Sequence, residues 1–236
     1  GEKIRELREA GGTQILLQGG HHPNLKIDYY LGLLRYVRER FPEVNVHGFS
    51  PPEFQHFAGV FRMPLERVIR TFRDAGLGSI PGGGAEILVD RVRGRIAPLK
   101  CSADGWLRVM EVAHGLGLRS SATMMFGHVE TIEERFDHLV RIRQVQSEKP
   151  AHANGFLAFI PWPYQDDGTL LNRVKGIKNE VTAQEYLRML SLSRIMLPNI
   201  TNIQASWLTV GPEVAQVCLH AGANDFGSIM IEENVV

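Results

Sequence analysis

A short β-branched or apolar run, closed by a cluster of Gly, Pro, Ser or His and followed by a helical pattern, recurs along the chain. Runs at 13–17, 44–49, 77–80, 120–125, 155–160 and 201–204 read as strands, with a weaker one at 226–230. The segments 29–41, 65–75, 103–117, 132–146, 182–197 and 212–221 carry apolar residues at helical spacing. Boundary signals agree with this division. Thr131 with Glu134 forms a capping box, and Gly76, Gly117 and Gly222 stand where helices should stop. Strands that alternate one by one with helices build a parallel sheet with helices packed on it, and its cyclic form is the (β/α) barrel of TIM type. Seven strands are one fewer than such a barrel uses, and the chain opens on a helical segment, GEKIRELREA. An incomplete barrel is therefore expected, its first strand lying before Gly1 and its closing run, IEENVV, breaking off within structured sequence. An unclosed sheet exposes a strand edge, so low solubility of the isolated segment is expected as well.

The 236 residues fit one barrel domain over 1–236, and 44% apolar residues supply a sizeable core. Lys and Arg number 26 and so do Asp and Glu, so no global field attracts nucleic acid or an anionic membrane, and a small-molecule partner is expected. The apolar runs are too short to span a bilayer and the first ten residues too charged for a secretory signal, which points to a cytoplasmic enzyme. Cys101 and Cys218 are the only cysteines. Far apart and outside any CxxC spacing, they indicate neither a disulfide framework nor a zinc site.

In such folds the loops after the strands carry the chemistry. Here they read QGGHHP at 18–23, HGFSPPE at 47–53, PGGGAE at 81–86, FGHVET at 126–131 and PWPY at 161–164. Gly19 and Gly20 remove side chains where a ligand could meet backbone amides, although a tight turn alone would use them too. Three glycines at 82–84 exceed what a plain connection needs, and Glu86 follows where a helix should start. His21, His22, His47 and His128 all fall on these loops. They could belong to a histidine-metal hydrolase, but no HxH or HExxH spacing supports that, and each could equally be a wall residue or a general acid or base. Glu53, Glu86 and Glu130 follow three successive strands, an arrangement suited to cation recognition or proton transfer, while Glu130 with Thr131 also suits a helix opening. Of Met124 and Met125, at least one is core. The charged helix from Ile132 presents a solvated face, Trp106 belongs to the core, and Trp162, between two prolines, walls the pocket.

TQILLQGGHHP, HGFSPPE, GLGSIPGGGAEILVDRVR, SATMMFGHVET, FIPWP and GANDFGSIMIEENVV, in this order, resemble the radical S-adenosylmethionine enzymes of the futalosine route to menaquinone, and among them the dehypoxanthine futalosine cyclase family. The sibling aminofutalosine synthases share PGGGAE but typically carry a leucine-tyrosine pair where Met125 and Phe126 stand, and lack the tryptophan matching Trp162. The related deazaflavin-forming synthases usually replace the triple glycine.

The resemblance implies S-adenosylmethionine, a 4Fe-4S cluster and an electron donor such as flavodoxin or ferredoxin. It also implies a deoxyadenosyl radical that takes hydrogen from the substrate ribose before that ribose closes onto an aromatic ring. By position it assigns Gln18, Gly19 and Gly20 to the methionine amino group, Ser50 and Glu53 to the adenosyl ribose or substrate, and Glu86 to a polar anchor. It places His21, His47, Gly83, Gly84, Met125 and Trp162 along the substrate, with His128 and Glu130 as the catalytic pair and His128 removing the proton that restores the ring. One departure is large: the family's CxxxCxxC is absent, and two separated cysteines cannot supply three neighbouring thiolates. SEKPAHANGF at 147–156 departs as well, where the family has an acidic, glycine-containing connection. A non-catalytic ligand-binding barrel is the remaining alternative.

Overall fold

The computed structural model describes residues 1–169, 171, 177, 179 and 181–230. These form two compact units, Gly1–Gly84 with Gly105–Ser120 and Lys149–Gly155, and Ala85–Asp104 with Ser121–Glu148 and Phe156–Val236. In chain order the elements are α1 (Glu2–Glu9), β1 (Gln14–Leu17), α2 (Ile27–Arg40), β2 (Asn45–Gly48), α3 (Pro51–Phe61), α4 (Leu65–Ala75), β3 (Ser79–Ile80), α5 (Asp90–Ile96), α6 (Ala103–Gly115), β4 (Arg119–Phe126), α7 (Ile132–Glu148), β5 (Phe156–Pro163), α8 (Ala183–Met196), β6 (Asn202–Ile203), α9 (Trp207–Val210) and α10 (Pro212–Cys218).

In the first unit β1, β2, β3 and the first two residues of β4 pair in that order, all in parallel. Helix α4 shows why the helices lie on the sheet: Val68, Ile69, Phe72 and Ala75 recur on one stripe and are buried, and Gly76 ends the helix at φ 128°. Phe72 joins Tyr30, Phe49, Phe54 and Phe57, with ring centroids 4.6 to 6.2 Å apart in edge and offset contacts. Phe49 reaches this cluster from a left-handed backbone, φ 59°, that turns the chain from β2 straight into α3.

In the second unit β4 neighbours β5, and β5 pairs in parallel with β6. Gln146 of α7 anchors the start of β5 as a substitute strand: its side chain accepts from Phe156 N–H at 2.8 Å and donates to the carbonyls of Phe156 and Asn199, each at 3.2 Å. Six expected strands and six expected helices are present, and the capping box closes as Thr131 N–H donates to Glu134 and Glu134 N–H to Thr131 Oγ1.

The differences have local causes. HGFSPPE is not only loop, because prolines at the first two helical positions forfeit no hydrogen bond and α3 starts at Pro51. Glu86 does not open a helix: its φ is 47°, and α5 begins four residues later at Asp90. The PWP of PWPY is strand, so Trp162 lies within β5 and not beyond it. The expected strand at 226–230 does not form. Asp225 makes one parallel bridge with Gln204, and its carboxylate then accepts from Gly227 N–H at 2.8 Å, turning the chain away. The closing IEENVV lies outside the described residues.

Phe72 is fully buried in the aromatic cluster whereas Leu99 is 95% exposed. In the full-length protein Phe72→Ala should lower stability by about 3–5 kcal/mol and Leu99→Ser by under about 0.5, as read from denaturant midpoints. Equal effects would remove the cluster as the anchor of the first unit.

Candidate active site

The candidate residues fall into two groups, one in each unit. In the first, the buried Glu53 sits in the opening turn of α3, where helix geometry favours an anion. Its Oε1 accepts from Gly19 N–H at 3.0 Å, and its Oε2 accepts from both the N–H and the hydroxyl of Ser50, each at 2.7 Å. Glu53 is thus a clamp that ties the turn after β1 to the start of α3. Gly20 turns at φ 69°, and no atom lies within 4 Å of where a side chain on Gly19 or Gly20 would begin, so their backbone is open on that side. Gly83 is the opposite case: a Cβ there would stand 2.5 Å from the Gln18 amide nitrogen. Trp106, read as plain core, also donates its indole N–H to the Gly83 carbonyl at 3.1 Å. Gly84 follows with φ 73°.

The histidines of this unit do not converge. His21 stacks on His56 at 4.7 Å, and His22 Nδ1 accepts from the N–H groups of Asn24 and Leu25. His47 lies in β2, where two-residue alternation puts it with Asn45 on one face. Its Nδ1 shares a hydrogen bond with Ser79 Oγ at 2.8 Å, and Asn45 donates to the same hydroxyl at 2.9 Å and to Gln14 at 2.7 Å. Burial, and then the charge of Arg119, push His47 down to about 4, so its ring is neutral at neutral pH and cannot serve there as a general acid. Ser79 and Asn45 were not candidates from sequence; the alternation NVHG in β2 is the signal that could have found Asn45.

In the second unit Glu86 pairs with Lys100 at 2.5 Å, and its carbonyl accepts from Met125 N–H at 3.0 Å. Met125 is half-buried beside it, whereas Met124 is core. Beyond β4 the chain turns on Glu130, whose side chain, like that of His128, has no exposure. Glu130 accepts from Gly127 N–H at 2.6 Å, His128 N–H at 3.0 Å and Arg135 Nε at 2.8 Å; Arg135 continues to Glu185 at 2.7 Å. His128 Nε2 faces the Met125 carbonyl at 3.0 Å. Its Nδ1 lies 2.8 Å from both Val129 N and Glu130 Oε2, two contacts of opposite demand. A neutral ring accepts from Val129; a charged ring donates to Glu130. Both nitrogens are therefore engaged, and the ring must leave one of these partners before it can take a proton from a ligand. Trp162 is half-buried in β5.

Strands alternating with helices, with polar residues gathered in the turns that follow them, define an α/β protein of the TIM-barrel class. Methylornithine synthase (PylB) shares this fold with a TM-score of 0.68, at 19% identity, over 95% of this chain and 59% of that one. The model of the Radical SAM superfamily matches residues 1–142 and that of the CofH/MqnC C-terminal region residues 153–236, and the chain belongs to the Radical SAM superfamily. It is 47% identical to the cyclic dehypoxanthine futalosine synthase of Streptomyces coelicolor over 99% of its own length and 57% of the relative's. With the aminodeoxyfutalosine synthase of Thermus thermophilus it is 43% identical, over 99% and 62%. The chain thus spans about three fifths of the length of these relatives.

Members of the superfamily use S-adenosylmethionine with a 4Fe-4S cluster, and the two groups fare differently here. The open side at Gly19 and Gly20 leaves room for a ligand to reach their backbone carbonyls, the acceptors that an amino group such as that of S-adenosylmethionine needs. The cluster does not fit the residues present. Burial raises both the Cys101 and Cys218 thiols, the latter to about 11, and no three metal-binding side chains gather among the described residues. That last observation also leaves the histidine-metal hydrolase without a centre among the described residues.

Burial alone would raise the Glu130 carboxyl, but the hydrogen bond and charge of His128, with the N–H groups of Gly127 and His128, hold it down to about 2 from an ordinary 4.5. That drop corresponds to roughly 3 kcal/mol of stability, present above about pH 4.5 and lost as pH falls toward about 2. Glu130→Gln should therefore be less stable than the parent at pH 7, with the gap closing between pH 4.5 and 2 in thermal unfolding. A gap that ignores pH would show that the Glu130 charge is not what the turn depends on.

Proposed function

We propose that this chain serves the radical S-adenosylmethionine cyclisation of dehypoxanthine futalosine to cyclic dehypoxanthine futalosine in menaquinone biosynthesis, as a cytoplasmic oxidoreductase fed by an electron donor such as flavodoxin or ferredoxin. The observation that carries this reading is the agreement with cyclic dehypoxanthine futalosine synthase across nearly the whole chain. Two features favour it over the aminodeoxyfutalosine synthase: Met125 and Phe126 in place of a leucine-tyrosine pair, and Trp162 in β5.

S-adenosylmethionine supplies the radical chemistry when bound; this chain's residues hold and orient. Gln18, Gly19 and Gly20 receive the methionine amino group, in a turn that Glu53 and Ser50 keep in shape. Glu86 anchors a polar group of the ligand. His21, His47, Gly83, Gly84, Met125 and Trp162 contact the substrate, with His47 acting as a neutral hydrogen-bonding ring. His128 and Glu130 handle the proton released when the aromatic ring is restored, which requires the neutral imidazole to release Val129 N–H from its Nδ1.

The full-length protein, assembled anaerobically with its cluster, should convert dehypoxanthine futalosine and S-adenosylmethionine to a product two hydrogens lighter, deoxyadenosine, methionine and a proton, S-adenosylmethionine being the two-electron oxidant. His128→Ala should lower kcat at least about tenfold while S-adenosylmethionine still binds. Formation of aminodeoxyfutalosine instead would make the chain a sibling synthase. Hydrolysis that needs zinc but no S-adenosylmethionine would end the radical reading, and full turnover by Glu86→Ala or His128→Ala would end the roles given to those residues.

A further inference from the structure

Strand register carries a line of polar side chains across the first unit. It sets Gln14 of β1 opposite Asn45 of β2, and Ser79 of β3 opposite His47 of β2, while two-residue alternation keeps Asn45 and His47 on one face. The contacts join end to end. Asn45 Nδ2 donates to Gln14 Oε1 at 2.7 Å and to Ser79 Oγ at 2.9 Å, and Ser79 Oγ lies 2.8 Å from His47 Nδ1. Glycine at 78 makes room for this amide, since a Cβ there would collide with Asn45 Oδ1.

Donor counting gives the line a direction. An amide nitrogen has two hydrogens and accepts none, so Asn45 commits one to each neighbour. Ser79 Oγ thus receives a hydrogen from Asn45 and has to place its own elsewhere; among the described residues its other partner is His47 Nδ1. That nitrogen is then the one with the lone pair, and the ring hydrogen sits on Nε2. Two further observations agree. Burial, and then the guanidinium of Arg119, which β4 sets opposite Ser79, disfavour the imidazolium that would carry a hydrogen on both nitrogens. At the far side of the ring Nε2 makes no hydrogen bond among the described residues and is not enclosed, so the line ends in an open donor.

We propose that Asn45 and Ser79 are positioning residues for His47: by filling Nδ1 with a hydroxyl hydrogen they hold the ring in its Nε2–H form, a fixed donor that cannot act as a base toward a ligand. That the donor meets an acceptor atom of the substrate rests on the reading of the chain as a dehypoxanthine futalosine cyclase; the direction of the line does not.

The test is nitrogen NMR of the full-length protein carrying isotope-labelled histidine at neutral pH, with the His47 signals assigned by their loss in His47→Gln. In the parent the Nε2–H form should exceed the Nδ1–H form at least about tenfold. Ser79→Ala should cut that excess about fivefold, the worth of one neutral hydrogen bond, and Ser79→Thr, which keeps the hydroxyl, should hold it to within about twofold. Asn45→Asp presents only acceptors to Ser79, so the hydroxyl turns to the new carboxylate, accepts from the ring, and Nδ1 gains a hydrogen. Side chains that merely supported the ring would not move a hydrogen from one nitrogen to the other. A hydrogen on Nδ1 in the parent, or a bare Nδ1 in Asn45→Asp, overturns the proposal. Should Asn45→Asp fail to fold, Ser79→Ala decides, and an undiminished excess there overturns it. Dehypoxanthine futalosine added to the parent should shift the Nε2 resonance and leave Nδ1 bare; no shift at a concentration that supports turnover removes the substrate contact. A parent that neither binds nor converts this compound fails the functional reading, whereas the hydrogen positions still uphold or overturn the line from Asn45 to His47.

Discussion

A carboxylate withdrawn from water must be given donors in return, because an enclosed charge without them costs several kcal/mol. Three glutamates follow three successive strands of this chain, and the way each satisfies that demand decides what the neighbouring turn can do. Glu53 uses one oxygen on Gly19 N–H and the other on Ser50, so its charge holds the turn after β1 open beside the start of α3. Glu130 spends its oxygens on two backbone N–H groups, Arg135 and His128, and the FGHVET turn closes upon itself. Glu86 meets the same demand with a side-chain cation, Lys100, on its Oε1. Sequence presents three equivalent acids; hydrogen-bond accounting gives each a different set of partners.

The same accounting separates the histidines. Spacing left open whether they shared a metal, and the answer lies in what each ring already touches: another imidazole for His21, its own loop for His22, a hydroxyl for His47 and a carbonyl for His128. Four rings with four private partners are not a ligand set. His47 is the instructive case, since a histidine on a site-facing strand suggests acid-base work near neutrality, yet burial with Arg119 nearby leaves it neutral and useful as a hydrogen-bonding group.

Whatever depended on short-range pattern was legible in the sequence. Short β-branched or apolar runs marked the strands, 3.6-residue stripes such as Val68, Ile69 and Phe72 marked the helices, and the Thr131 box marked a helix start to the residue. Misplacements occurred where one local rule outweighed another. Two prolines look like loop but are harmless at the opening of α3, and an Asp225 to Gly227 turn overrides the β-branched look of the run after it. The glycine-rich turns after the strands were found because glycine is informative about backbone. Their supports were not, because Arg93, Lys100, Arg135 and Trp106 act through partners that sequence spacing does not link to them: a charged residue in a helix or a loop looks the same whether it is solvated or holding a carbonyl across a turn.

That distinction bears on how such a chain divides its labour. The cysteines are held as thiols by burial, no three metal-binding side chains gather among the described residues, and the role proposed for this stretch is the placement of organic groups. Placement depends on stiffness. The segment 85–103 obtains it from donors within itself and one strand: Arg93 on two carbonyls, Asp90 accepting from Ala103 N–H at the start of α6, and Met125 N–H on Glu86. A loop fixed at four points by its own polar groups needs no bound ligand to acquire its shape, so the ordering entropy is met on folding rather than on binding.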